Sequence, residues 1–196
     1  NGPLFTPIII NPSISSISPV SGLPGDSVTI TGFNFGASQG ASAVTFNGIQ
    51  ASVAGWSDNQ IVATAPGGAT TGPVMVTVNG MDSNNDQIFT VKDFSLSASP
   101  GSQTVFQGSS TSYTVTLGTV TGFPVPVTLS FASGLPTGAT ASFSQSSVTP
   151  PGTSTLTVTT SSTTPTGSYT FVIQGIGGGQ THIAGVTLVV APPPDF

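Results

Sequence analysis

Residues 112–117 read Ser112-Tyr113-Thr114-Val115-Thr116-Leu117, SYTVTL, with a large apolar side chain at every second position and a hydroxyl between. Period two of this kind belongs to a β-strand with one buried face and one wet face. The pattern recurs in VTLSF, where Val127, Leu129 and Phe131 share a face, and in SYTFVI, with Tyr169, Phe171 and Ile173. Working outward, short Val/Ile/Thr/Phe runs bounded by turn residues predict strands over 14–17, 28–31, 44–46, 51–54, 60–64, 74–78 and 87–91. In the second half they predict strands over 94–98, 112–117, 125–131, 139–143, 154–159, 168–173 and 182–190. With 25 Gly and 17 Pro and almost no Glu, Lys or Arg, no segment reads as a helix. Seven strands in each half predict an all-β chain of two sandwiches, and 196 residues suffice for two cores.

Charge is the unusual property. The chain holds one Lys, no Arg, six Asp and no Glu, only 4% charged where soluble domains average about 25%. From Phe94 to Pro194 no residue is charged, and over the whole chain 58 Ser and Thr supply the polar surface. Clustered cations are needed to neutralise phosphate, so nucleic acid is excluded as a partner, and anionic membrane surfaces fall with it. Nothing approaches the roughly 18 apolar residues of a membrane-spanning helix, so no membrane insertion is expected. The apolar content of 36%, with 12 Phe, is too high for a disordered chain. Without Cys, disulfides, thiolate zinc sites and thiol chemistry are absent. An uncharged surface repels its own copies weakly, which permits self-association. No leader segment is recognisable, so a mature, secreted or cell-surface form is expected.

An internal echo marks the division. SISP ends at Pro19 and SASP at Pro100, an offset of 81, and each precedes a Gly and then a Thr/Val strand. KDF opens the second half at Lys92–Phe94, and PDF closes the chain at Pro194–Phe196, as if a further linker began there. The expected organisation is an extended N-terminal segment over 1–11, sandwiches over 12–91 and 92–190, and a Pro-rich tail over 191–196.

The stretch PSISSISPVSGLPGDSVTITGFNFG…VTFNG…WSDNQIVATAPGGATTGPVMVTVNG…FTV, residues 12–91, closely resembles the IPT/TIG domain, an immunoglobulin-like module. Residues 93–190, from DFSLSASPGSQTVFQG through TPTGSYTFVIQG to VTLVV, resemble a bacterial Ig-like repeat. The resemblances imply two tandem immunoglobulin-like β-sandwiches with an extended apolar N-terminal segment. They also imply extracellular, non-catalytic spacer, adhesive or scaffold roles, and modules of both kinds ride on secreted hydrolases.

The residues offer little for catalysis. GASQG, Gly36–Gly40, fits the G-x-S-x-G pattern, yet a nucleophile elbow needs a strand–turn–helix and Ser38 sits between β segments. His182 is the sole His, at a strand end on the apolar-side register of Ala184, Val186, Leu188 and Val190, and reads as structural. Asp26 and Asp58 read as turn residues, the latter through an Asx-type bond, and no acid pair suits glycoside hydrolysis. Asp82, Asn84 and Asp86 alternate in DSNND with Asp93 at the twelfth position, the oxygen spacing of a calcium loop. The turn position holds Gln87 where Gly is needed, and a solvated loop is the competing reading. No cofactor is expected, with weak calcium binding the one alternative. Trp56 is either a sugar-stacking platform or part of the packing.

The N-terminal run LFTPIII remains. Burying Leu4, Phe5, Ile8, Ile9 and Ile10 contributes roughly 8–15 kcal/mol before ordering costs, so some cover is required. Three covers compete: an extra strand on its own module, strand addition to a neighbouring copy, or a linker to another module. Pro7 confines the run to an edge, and Asn11-Pro12 forces an extended exit that favours use by a neighbour. The leading expectation is therefore a non-catalytic extracellular structural protein, a self-associating filament or matrix subunit joined by β-strand addition, its partners other copies of itself. The alternative is a carbohydrate-binding or spacer module pair of a secreted hydrolase or adhesin, with surface polysaccharide as partner.

Overall fold

The computed structural model of the protein describes residues 10–194. Among the described residues every regular element is a strand, and no helix is long and apolar enough to cross a membrane. The chain divides into two compact units, Asn1–Lys92 and Asp93–Phe196.

In the first unit a four-stranded antiparallel sheet runs in the order Ser13–Ser18, Ser27–Phe33, Gln60–Thr64, Ser52–Trp56. The facing sheet runs Ser21–Gly22, Ile88–Val91, Gly72–Val78, Ala43–Phe46, Ile49–Gln50, with Met81–Asp82 also paired to Gly72–Val78. Val28, Ile30, Ile61 and Ala63 from one sheet and Val44, Phe46, Val74, Val76 and Phe89 from the other are buried. Each buried Val, Ile or Phe contributes about 1.5–3 kcal/mol by leaving water. Phe46 and Phe89 meet edge-to-face at 5.2 Å. Two hairpins close on Asn-Gly pairs, Asn47-Gly48 and Asn79-Gly80, whose φ values are all positive (45°, 84°, 50°, 80°). Both residues of such a turn must be left-handed to match the strand twist, which Asn and Gly tolerate.

The second unit repeats the plan. One sheet runs Phe94–Ser99, Ser110–Thr119, Gly152–Thr159, Thr140–Phe143, and the other Ser102–Phe106, Gln180–Ala191, Gly167–Gly177, Val127–Ser133, Ser147–Val148. SYTVTL forms the centre of a ten-residue strand with Tyr113, Val115 and Leu117 buried as predicted. Across the core lie Val127, Leu129, Phe171, Ile173, Val186 and Leu188, also buried. Both units are immunoglobulin-like sandwiches of two packed sheets.

The echo at Pro19 and Pro100 marks one topological event. In each unit the first strand leaves its sheet after a cis Ser-Pro bond and joins the other sheet. There it pairs parallel to the last strand, Gly22 with Val91 and Val105 with Val190. The sequence reading missed both halves of this switch, Ser21–Gly22 and Ser102–Phe106, because parallel pairing at an edge leaves no alternating pattern. Two residues keep their expected faces but are less buried than their neighbours. Phe131, opposite buried Ile173, is only half-buried and stacks on Phe143 at 4.8 Å. Tyr169 is likewise half-buried at its strand's start, where its hydroxyl donates to the Pro165 carbonyl at 3.0 Å.

Candidate functional site

Of the N-terminal run, Leu4, Phe5, Ile8 and Ile9 lie outside the described residues. Ile10 is 62% exposed and precedes the first strand. The chain just after it is anchored twice: the Asn34 amide donates to the Asn11 carbonyl at 3.3 Å, and Asn84 grips Ile14.

That grip engages Asn84, one of the candidate calcium ligands. Ile14 N–H donates to the Asn84 side-chain oxygen at 2.6 Å, and the Asn84 amide donates back to the Ile14 carbonyl at 2.9 Å. The side chain thus pairs with the open edge of Ser13–Ser18 as a neighbouring strand would. Ser83 ties the same loop to the opposite sheet, its backbone donating to Val76 O at 2.9 Å and its hydroxyl accepting from Val76 N at 3.0 Å. Asp82 accepts from the Thr77 hydroxyl at 2.6 Å, Asp86 accepts from Asn84, and Asp93 belongs to the second unit. The alternating oxygens are therefore each engaged with protein groups. Among the described residues no three His, Cys, Asp or Glu come together to hold a metal. The spacing concealed a brace between two sheets, and the signal that could have found it was Asn amid acids beside an unpartnered edge strand.

Trp56 is half-buried. Its indole N–H donates to the carbonyls of Phe35 (3.0 Å) and Gly36 (3.1 Å), and its ring meets Phe35 edge-on at 6.4 Å. It holds down the Gly-rich loop. Asp58 serves the same loop, its carboxylate accepting from Gly36 N at 2.9 Å and its carbonyl from Phe35 N at 3.0 Å. The Asx bond expected for Asp58 within its own turn is replaced by this long-range contact. Ser38 lies in that loop with no helix after it.

His182 donates or accepts at 2.8 Å with Asp93 and stands edge-on to Phe94 at 4.7 Å. Asp93 also accepts from Phe94 N at 2.7 Å, so the pair fixes the start of the unit's first strand. Tyr113, buried in the core, donates to the Thr187 carbonyl of the opposite sheet at 2.7 Å. Burial pushes its phenol up to about 12. Ser154, Thr160 and Thr164 are buried hydroxyls with partners, Ser154 donating to Gln145 O at 2.8 Å and Thr160 bonding the Phe106 and Ser109 carbonyls at 3.0 and 2.9 Å. Sequence gave no sign of these three, which look like any other Ser or Thr.

The outer face of the sheet Phe94–Ser99, Ser110–Thr119, Gly152–Thr159, Thr140–Phe143 presents hydroxyls in register. Thr140, Thr159 and Ser110 form one row, Ser142, Thr157 and Ser112 the next. Thr155, Thr114 and Ser99 follow, then Thr153, Thr116 and Ser97. An open groove of about 540 Å³ runs by Ser110, Thr111, Ser112, Thr155 and Thr157.

With this geometry in view, residues 12–96 match the IPT/TIG domain. The chain is 37% identical over 93 residues to a cyclomaltodextrin glucanotransferase of Bacillus sp. (strain 6.6.3), a match covering 44% of this chain and 12% of the relative. Among solved structures it is similar to an auxiliary nutrient binding protein from Bacteroides thetaiotaomicron, at 22% identity and a TM-score of 0.41 over 50% of this chain and 25% of that one. Another is domains 4 and 5 of the S-layer protein SbsC, at 19% identity and a TM-score of 0.38, over 65% and 68% of the two chains.

Proposed function

We propose that the chain is a non-catalytic spacer pair in a secreted, multimodular protein that acts on polysaccharide, its second unit a bacterial Ig-like repeat. The observation that carries this is the 37% identity to a segment making up only 12% of a glucanotransferase, a protein whose name assigns it glucan chemistry. The geometry supports it: His182, Trp56 and the Asp/Asn loop are each engaged in holding strands and loops together. A spacer needs folded units and no reactive group, and each unit here is a packed sandwich. An antibody raised against the two units tests the reading in the producing cells. It should detect a polypeptide longer than 196 residues in the medium and co-precipitate glucan-cleaving activity. An intracellular polypeptide, or one of this length alone without such activity, would overturn it.

A second reading is strand addition, in which residues 4–10 pair with the next copy and build a surface filament. The 62% exposure of Ile10 at the root of the apolar run favours it. Asn84 occupies the edge of Ser13–Ser18 at Ile14, so the acceptor would be another terminal strand, such as Thr140–Phe143. Removing residues 1–10 should convert polymers to monomers in sedimentation. Identical polymers from the shortened chain would end this reading.

A further inference from the structure

We propose that the hydroxyl face of the second unit is a docking surface for neutral polysaccharide, a binding function that the spacer reading does not require. The face is built from two adjacent central strands and their two flanks. Ser112 sits between neighbours in the row Ser142–Thr157–Ser112, and Thr114 in the row Thr155–Thr114–Ser99. Neighbouring strands lie about 4.8 Å apart and outward residues recur about every 6.7 Å along a strand, so the hydroxyls form a two-dimensional lattice.

The chemistry of that lattice selects its partner. Each hydroxyl donates one hydrogen bond and accepts others, which suits a partner that does the same. Ser110 and Thr159 bond each other at 2.9 Å. The six hydroxyls of the rows Ser142–Thr157–Ser112 and Thr155–Thr114–Ser99 have no hydrogen-bond partner among the described residues. No charged residue occurs from Phe94 to Pro194, so a charged partner would lose hydration on this face without gaining a counter-charge. No large apolar side chain stands on it either, so a second copy would have no hydrophobic drive to settle there. A neutral polyol has neither difficulty, and the groove of about 540 Å³ beside Ser112 and Thr155 can receive part of a sugar chain. Single hydrogen bonds exchanged with water contribute little, so the face works through number and rigidity. Strands already ordered by the fold lose little entropy, and a polysaccharide surface offers many neighbouring chains at once.

The test uses the full chain and three insoluble neutral polysaccharides: starch granules, cellulose and chitin. Retention is compared with the triple variant Thr114→Val/Thr155→Val/Thr157→Val, which removes hydroxyls but keeps β-branched shape and strand preference. The chain should be retained on at least one of the three, and the variant's affinity should fall about tenfold or more with an unchanged melting temperature. Should the triple variant fail to fold, Thr155→Asp places one charge on the same face and should also lose retention. Equal retention of wild type and variants overturns the proposal, as does no retention on any of the three. If the variants instead lose self-association in light scattering, or lose thermal hysteresis in ice, the face belongs to a second copy or to ice and the proposal falls. None of these failures touches the spacer reading, whose test is the length, location and activity of the native polypeptide.

Discussion

The two units share one sheet plan and hold it together with the same kinds of polar group in different proportions. In the first, planar amides and carboxylates carry most of the polar ties, Asn84 across to Ile14, Asp58 across to Gly36 and the Trp56 indole onto Phe35 and Gly36, with the Ser83 hydroxyl beside them. In the second, hydroxyls carry a larger share, Tyr113 to Thr187, Ser154 to Gln145 and Thr160 to Phe106 and Ser109, beside the Gln103 and Gln107 amides and the His182–Asp93 pair. The difference follows from composition, since the second unit has Asp93 and Asp195 as its only charged residues. An amide can imitate a strand's edge because it carries donor and acceptor side by side; a hydroxyl donates and accepts at a single atom. Topology is thus indifferent to the kind of tie, provided each buried donor and acceptor finds a partner.

The sharpest way to break the comparison is at Gly32. A Cβ there would stand 2.0 Å from the Ser13 carbonyl oxygen and 2.5 Å from the Phe35 ring. Gly32→Ala should destabilise the first unit by about 3 kcal/mol, read from urea unfolding, and leave the second unit's transition in place. Loss of both transitions together would show that the units do not unfold separately.

Tyr113→Phe comes next. It deletes the hydroxyl that reaches Thr187 and should cost the second unit about 1–2 kcal/mol. The pH dependence has a definite sign. Folding raises the phenol from 10.0 to about 12, so the neutral form is favoured in the native state and that stability is complete below pH 10. It is lost as pH rises from 10 to 12, and Tyr113→Phe should abolish this share of the alkaline loss.

Asn84→Ala leaves the Ile14 N–H and carbonyl without their partner and should cost about 1–2 kcal/mol, with hydrogen exchange at Ile14 faster than at Ile30. Added calcium should leave the melting temperature of the wild-type chain unchanged, since the Asn84 oxygen is already engaged. The smallest effect is expected from His182→Ala. The imidazole and Asp93 are both partly exposed, so the loss should be under about 1 kcal/mol in thermal melts.

Much of the fold was legible because burial imprints its period on sequence. SYTVTL showed its face directly, and all fourteen predicted strands overlap observed ones. What escaped were segments whose partners are remote and whose pattern is short. Ser102–Phe106 pairs parallel at an edge, and Ile49–Gln50 is two exposed residues beside Phe46. The candidate site was less legible. Alternation of Asp82, Asn84 and Asp86 suggested a ligand set, while the feature that mattered was Asn84 lying opposite an edge strand 70 residues earlier. Trp56 showed its identity but not the two carbonyls that its indole serves.

By itself the sequence determined that this chain is all-β, almost uncharged, split near residue 92 and poor in catalytic groups. Those properties are sums or local periods, and each residue carries its share of them unaided. Only the tertiary structure decided which polar groups were spent as ties and which remained on the surface as an ordered face. A hydrogen bond depends on distance and angle between residues far apart in the chain, and no local pattern records either.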